Sequence, residues 1–90
     1  MPIALVGDVD ADNADDMLSS LLRQLADEPL DDFEPVEIDC SRLTYLGSAG
    51  MSMLVRFHSR SGREVVLAGL PRPFVRIFEI SGLDRMFDIC

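Results

Sequence analysis

Lysine is missing altogether from this 90-residue chain, whose eight cations are all arginine. Set against sixteen acidic side chains they leave a formal net charge of −8, which disfavours nucleic acid, because phosphate binding needs a basic surface. No apolar run approaches the roughly 18 residues of a membrane span, so direct membrane insertion is not expected. The start of the chain lacks a basic segment followed by an apolar stretch, which argues against secretion and for a cytoplasmic setting. The two cysteines, Cys40 and Cys90, have no metal-ligand neighbours at zinc spacing and read as a buried and a terminal thiol in a reducing compartment. There is no glycine-rich phosphate loop, since Gly47-Ser48-Ala49-Gly50 lacks the lysine and the spacing of one. Internal repeats and low-complexity segments are absent too.

What is present fits one small domain, residues 1–90, with ordinary apolar content and a modest core. Its charge is unevenly spread. Residues 1–39 carry twelve acids against one arginine, whereas residues 40–90 carry seven arginines against four acids. An acidic half suits a basic protein partner and would speed encounter more than it adds affinity, although the same carboxylates also serve as a solubilising face.

Taken in order, Ile3 to Val6 reads as a short strand ended by Gly7. Asp8, Asp10 and Asp12 alternate like a calcium loop, but Asn13 and Ser19 stand where that motif needs Gly and Glu. Helix initiation is the better account, with Asp12 or Asn13 as cap and Asp15 and Asp16 in a first turn that favours negative charge. Ala14, Met17, Leu18, Leu21, Leu22 and Leu25 then recur at helical spacing on a core-facing stripe. Pro29, Asp31, Asp32 and Pro35 make a loop.

The stretch that organises the rest is residues 38–57. Val36, Ile38 and Cys40 alternate with Glu37 and Asp39 as a strand. A polar corner at Ser41 and Arg42 leads to a second extended piece, Leu43 to Leu46. A helix follows, from about Ala49 to Ser61, stopped by Gly62. Met51, Leu54, Val55 and His58 share one face of it, widened by Met53 and Phe57, while Ser48, Ser52 and Arg56 line a polar face. Ser48 falls where an N-cap belongs, flanked by small residues that leave its hydroxyl reachable. His58, the single histidine, lies about ten residues and so roughly 15 Å along this helix from Ser48, too far to act as its base. A third strand, Glu64 to Ala68, precedes a helix entered at Pro71 and Pro73, with Phe74, Ile77 and Phe78 as its buried stripe. Ser81-Gly82-Leu83 reads as its stop, and Phe87 to Ile89 as a last strand. Strands alternating with helices predict an α/β domain with a mostly parallel sheet.

These residues carry a resemblance to the STAS domain family of bacterial anti-sigma-factor antagonists and related regulators. Ile38-Asp39-Cys40-Ser41, Leu43 to Leu46 and Gly47-Ser48-Ala49-Gly50-Met51 are similar to that family's strand, Asp-led turn and Asp-Ser-Ser/Thr-Gly-Leu helix start. Leu5-Val6-Gly7-Asp8-Val9-Asp10, Leu67-Ala68-Gly69-Leu70 and residues 80–87 match in the right order. One departure stands out: Gly47 replaces the Asp that precedes the family serine.

The resemblance implies a right-handed β-α superhelix with the first family strand missing, because Met1 to Val6 is too short for two strands. An open sheet edge there would invite a homodimer or cover by the partner. It also implies a non-enzymatic protein-binding switch without metal or cofactor. Ser48 corresponds to the phosphorylated serine, and Asp8, Asp10, Gly47, Ser48, Gly50, Ser52 and Arg56 form the expected partner-binding corner. The implied partner is an anti-sigma factor of the serine-kinase type. The alternative is the ATPase of an ABC-type phospholipid transporter, for which no phosphorylation is needed.

Overall fold

A computed structural model describes residues 3–90; Met1 and Pro2, the start of the stretch expected to be too short for two strands, lie outside the described residues. The N-terminal segment is not one strand. β1 (Ile3–Ala4) breaks, and the chain resumes as β2 (Gly7–Val9), with Gly7 in the left-handed region at φ 85°. The next strand makes a matching step, from β3 (Val36–Asp39) across Ser41 and Arg42 to β4 (Leu43–Leu46). β1 pairs with β3 and β2 with β4, both parallel, so the two steps run side by side. Leu5 N–H donates to Asp39 O and Gly7 N–H to Arg42 O, each at 3.0 Å, and so follows the step across. β5 (Val65–Ala68) and β6 (Asp88–Ile89) complete a four-stranded sheet in the order β1-β3-β5-β6, beside the two-stranded β2-β4 pair.

α1 (Ala14–Ala26), α2 (Ser48–Ser61) and α3 (Arg72–Ser81) connect these strands. α1 turns its predicted stripe inward, with Ala14, Leu18 and Leu21 buried and Met17, Leu22 and Leu25 packed at its margin. α2 departs from expectation. Gly50, Met53, Leu54 and Phe57 face the core, while Met51, Val55 and His58 sit at the rim. Glycine at the first of those positions carries no hydropathy signal, so the stripe looked shifted by a residue. α3 departs likewise: Phe78 is buried with Phe74 and Val75 beside it, and Ile77 points outward. Gly62 and Gly82 end α2 and α3 in the left-handed conformation, at φ 64° and 81°. The ring of His58 meets Phe87 edge-on at 5.5 Å between centroids, and Phe78 packs on Phe87 at 5.7 Å. Burying each such aromatic contributes about 2–3 kcal/mol, which is how β6 and α3 are held to the sheet.

The exposed side of β1 is covered rather than open. From α1, Gln24 Oε1 accepts from Ala4 N–H at 3.0 Å, and Gln24 Nε2 donates to Ala4 O at 3.3 Å. One side-chain amide thereby takes the place of a neighbouring strand. The unpaired backbone groups that would invite a homodimer through this edge are, at Ala4, both paired.

Candidate functional site

The corner is assembled by the parallel pairing of β2 with β4. Val9 stands opposite Leu46, and Gly47 N–H donates to Val9 O at 3.1 Å. Asp10 and Gly47 therefore leave the sheet side by side, one into the turn before α1 and the other into α2. Farther along, Arg56 Nη2 lies 3.1 Å from Asp15 Oδ1 and ties the two helices together at the surface.

Both carboxylates of the corner are fixed. The Thr44 hydroxyl donates to Asp8 Oδ1 across the strand pair, and Asn13 Nδ2 donates to Asp8 O at 2.7 Å. Asp10 Oδ1 accepts from Asp12 N–H at 3.0 Å and Asn13 N–H at 3.2 Å, while Asn13 Oδ1 accepts from Asp10 N–H at 2.9 Å. This is a reciprocal capping box closed by the Ala14 N–H bond to Asp10 O at 2.9 Å. Asn13 takes the N-cap position of α1, one of the two the sequence suggested, but its side chain makes no capping bond to the helix; the carboxylate that accepts amides here is that of Asp10, with Asn13 as its reciprocal partner. The extra turn at residues 11–13 moves the capping function upstream of the helix proper.

Ser48 is the first residue of α2, and Gly47 is the N-cap, at φ −86° and ψ −177°. The expectation that Ser48 caps the helix is therefore corrected: no side chain makes a capping bond there. Capping needs the residue before the first helical one, and the helix begins one residue earlier than predicted. Ser48 is exposed, and its hydroxyl makes no bond within the described residues. Met51 N–H is the first amide to find a carbonyl, that of Gly47 at 3.1 Å, so the amides ahead of it have no partner along the helix. The first turn of α2 carries no acid, unlike that of α1 with Asp15 and Asp16. Its positive dipole end is left uncompensated by its own helix, beside an exposed hydroxyl.

Ser52 and Arg56 continue the exposed face of α2 from Ser48. Gly50 does not join that face, because it is buried. A Cβ there would lie 2.6 Å from Leu46 Cδ1 and 2.9 Å from Val9 Cγ1. Its contribution is to let α2 lie close on β2 and β4. At Gly47 a Cβ would meet Tyr45 Oη at 3.0 Å, so the phenol ring occupies the space in front of the residue that replaces the family Asp. Thr44, Tyr45 and Asp15 are additions that sequence reasoning missed. β4 buries Leu43 and Leu46 and exposes the two residues between, so its alternation gives no hint of Tyr45 facing out.

The next corner is structural. Ser41 donates to Asp39 Oδ1 with its hydroxyl at 2.7 Å and its N–H at 2.9 Å. Those bonds, with a smaller contribution from the Arg42 charge, hold the Asp39 carboxyl below its usual range. Cys40, buried behind it, has its thiol pushed up to about 12 by loss of solvent and then by the charge of Asp39. Both cysteines are free, and Cys90 is exposed. Among the described residues no group of three or more His, Cys, Asp or Glu is arranged to hold a metal ion. No helix is long and apolar enough to cross a membrane among those residues.

The family comparison falls on the same elements. A family model described as Mlab, STAS domain matches residues 1–88, a span that includes the β2–β4 corner, the start of α2 and the β5–α3–β6 return. STAS domains generally are non-catalytic modules that mediate protein–protein interaction. With that match over nearly its whole length, and with parallel strands interleaved with three helices, the chain belongs to the STAS domain family.

Proposed function

We propose that this chain is an anti-sigma-factor antagonist whose docking surface is the corner at the start of α2, and that Ser48 is its phosphorylation switch. The observation that carries this reading is the exposed Ser48 hydroxyl, unbonded, at the positive end of a helix whose first turn has no acid. A phosphate there adds about −1.5 to −2 charge where free amides and the dipole receive it, so the domain tolerates it. A partner does not. Asp8 and Asp10 already make the corner acidic and suited to a basic surface; a bulky phosphate pressed against those two carboxylates in a packed interface repels them and is costly to desolvate. Phosphorylation then releases a serine-kinase-type anti-sigma factor without unfolding its antagonist.

A second reading has its own observation. Gly47 with Tyr45 in front of it removes the carboxylate that precedes the serine in phosphorylated family members. That favours a constitutive docking module, such as the STAS subunit that binds the ATPase of an ABC-type phospholipid transporter.

Incubation with the candidate serine-kinase anti-sigma factor and ATP, for wild type, Ser48→Ala and Ser48→Asp, separates the two. The switch reading expects phosphate on wild type only, weakened binding by Ser48→Asp, and three similar melting temperatures. A wild type that takes no phosphate, with Ser48→Asp binding as wild type does, overturns it. Co-purification with a transporter ATPase then supports the second reading.

A further inference from the structure

Two exposed apolar features lie outside the corner and have complementary charge. The first is Phe33, 99% exposed at the tip of the loop between α1 and β3. Its turn is well held: Glu34 N–H donates to Asp31 O at 3.1 Å, and Arg63 Nη1 donates to Asp31 O and to Glu34 O. Asp31, Asp32 and Glu34 flank Phe33 in the chain, all three exposed, and outnumber the single Arg63 charge bound to the turn. A turn fixed in this way presents its aromatic side chain with little backbone freedom left to lose on binding. The second feature is the outer face of α3. Ile77 and Ile80 are 40% and 77% exposed, and the exposed Arg72 and Arg76 lie one turn apart on the same helix.

We propose that these two surfaces bind each other between copies of the chain, Phe33 of one copy seating against Ile77 and Ile80 of the next. Chemistry selects a second copy as the occupant because each surface supplies what the other lacks. An aromatic anchor in an acidic turn meets an aliphatic strip on a helix whose exposed Arg72 and Arg76 outnumber the exposed Glu79. Both are carried in equal number on every chain. Local pairing is needed because two chains of formal charge −8 repel at long range, and that repulsion is screened beyond about 8 Å at physiological salt. The contact joins unlike surfaces, so it is distinct from a strand-edge dimer, and the Gln24 cover on β1 leaves it untouched.

Sedimentation from about 10 µM to about 1 mM, where small interfaces associate, tests the proposal on wild type, Phe33→Ser and Ile80→Ser. Both substitutions fall on exposed side chains, and unchanged circular dichroism and melting confirm the fold. Wild type is expected to show a weight-average mass that rises with concentration. Each variant alone is expected to associate at least about tenfold more weakly, as loss of an anchor residue does. An equimolar mixture of the two variants should regain association, because Phe33 of one and Ile80 of the other remain intact. A wild type that stays monomeric throughout the range overturns the proposal, the two faces then serving other partners. So does a variant that associates as wild type does, or a mixture that stays monomeric.

Discussion

The Tyr45 hydroxyl stands 3.0 Å from where a Cβ on Gly47 would be, with ring carbon Cε2 at 3.1 Å. An aromatic side chain from β4 thus fills the place in front of the α2 N-cap. Gly47 has an ordinary extended backbone, and Tyr45 is half exposed, so a side chain at 47 displaces the ring instead of straining the main chain.

Gly47→Asp follows directly. A carboxylate at the N-cap accepts first-turn amides and complements the dipole, for a gain of about 0.5 kcal/mol. The chain has no tryptophan and one tyrosine, so Tyr45 fluorescence reports the displacement without interference. The expected result is a slightly raised melting temperature with altered tyrosine emission. Unchanged emission would mean that the ring does not lie over Gly47 in solution.

Gly50→Ala is expected to destabilise the domain. Leu46 and Val9 are both buried, so neither can move aside for a methyl group 2.6 and 2.9 Å away. Overpacking of this kind costs about 1–3 kcal/mol, offset by about 1 kcal/mol of helix propensity. The urea midpoint should fall; a rise would show that α2 lies farther from β2 and β4 than described.

Much of this was legible in the sequence, and the exceptions have physical reasons. Leucines at helical spacing gave α1, Gly62 and Gly82 gave the helix ends, and the family motif placed the Ser48 corner. The step between β1 and β2 was not legible, because Leu5 and Val6 continue the apolar run through the break. Glycine erased the first position of the α2 stripe, and Ile77 joined the α3 stripe by hydropathy alone. Gln24 pairs with Ala4 across twenty residues, a relation that only the fold creates.

Gln24→Ala uncovers β1. Losing the amide leaves the N–H and C=O of the half-buried Ala4 without protein partners, which costs about 1–2 kcal/mol. Faster hydrogen exchange at Ala4 and a lower urea midpoint are expected, with new association through the freed edge. If Ala4 exchanges as in wild type, the Gln24 bonds do not form in solution.

Cys40 sets a limit at high pH. Its thiol is raised from 9.0 to about 12 in the fold, so the unfolded chain loses the proton first. Stability from this group is full below pH 9 and declines as pH rises toward 12, by up to about 1.4 kcal/mol per unit. With no lysine in the chain, few other groups titrate in that window. Urea unfolding at pH 8 and pH 10.5 should show the decline in wild type and a flatter profile in Cys40→Ala. Equal slopes would mean that Cys40 is solvated. In the native state a thiol reagent should label Cys90 alone.

Asp10 has two roles that one substitution cannot separate, because its carboxylate caps α1 and also contributes charge to the proposed docking corner. Asp10→Ala removes both and should cost about 1 kcal/mol of stability. Asp10→Asn keeps an oxygen to accept from Asp12 and Asn13 and removes only the charge, so it should melt within about 0.5 kcal/mol of wild type. If the corner binds a basic partner, the Asn variant should associate more slowly, with a weaker dependence on salt, while remaining fully folded. Stopped-flow association at two ionic strengths measures both. An Asn variant with wild-type rates and salt dependence, beside an Ala variant that is merely less stable, would confine Asp10 to its cap.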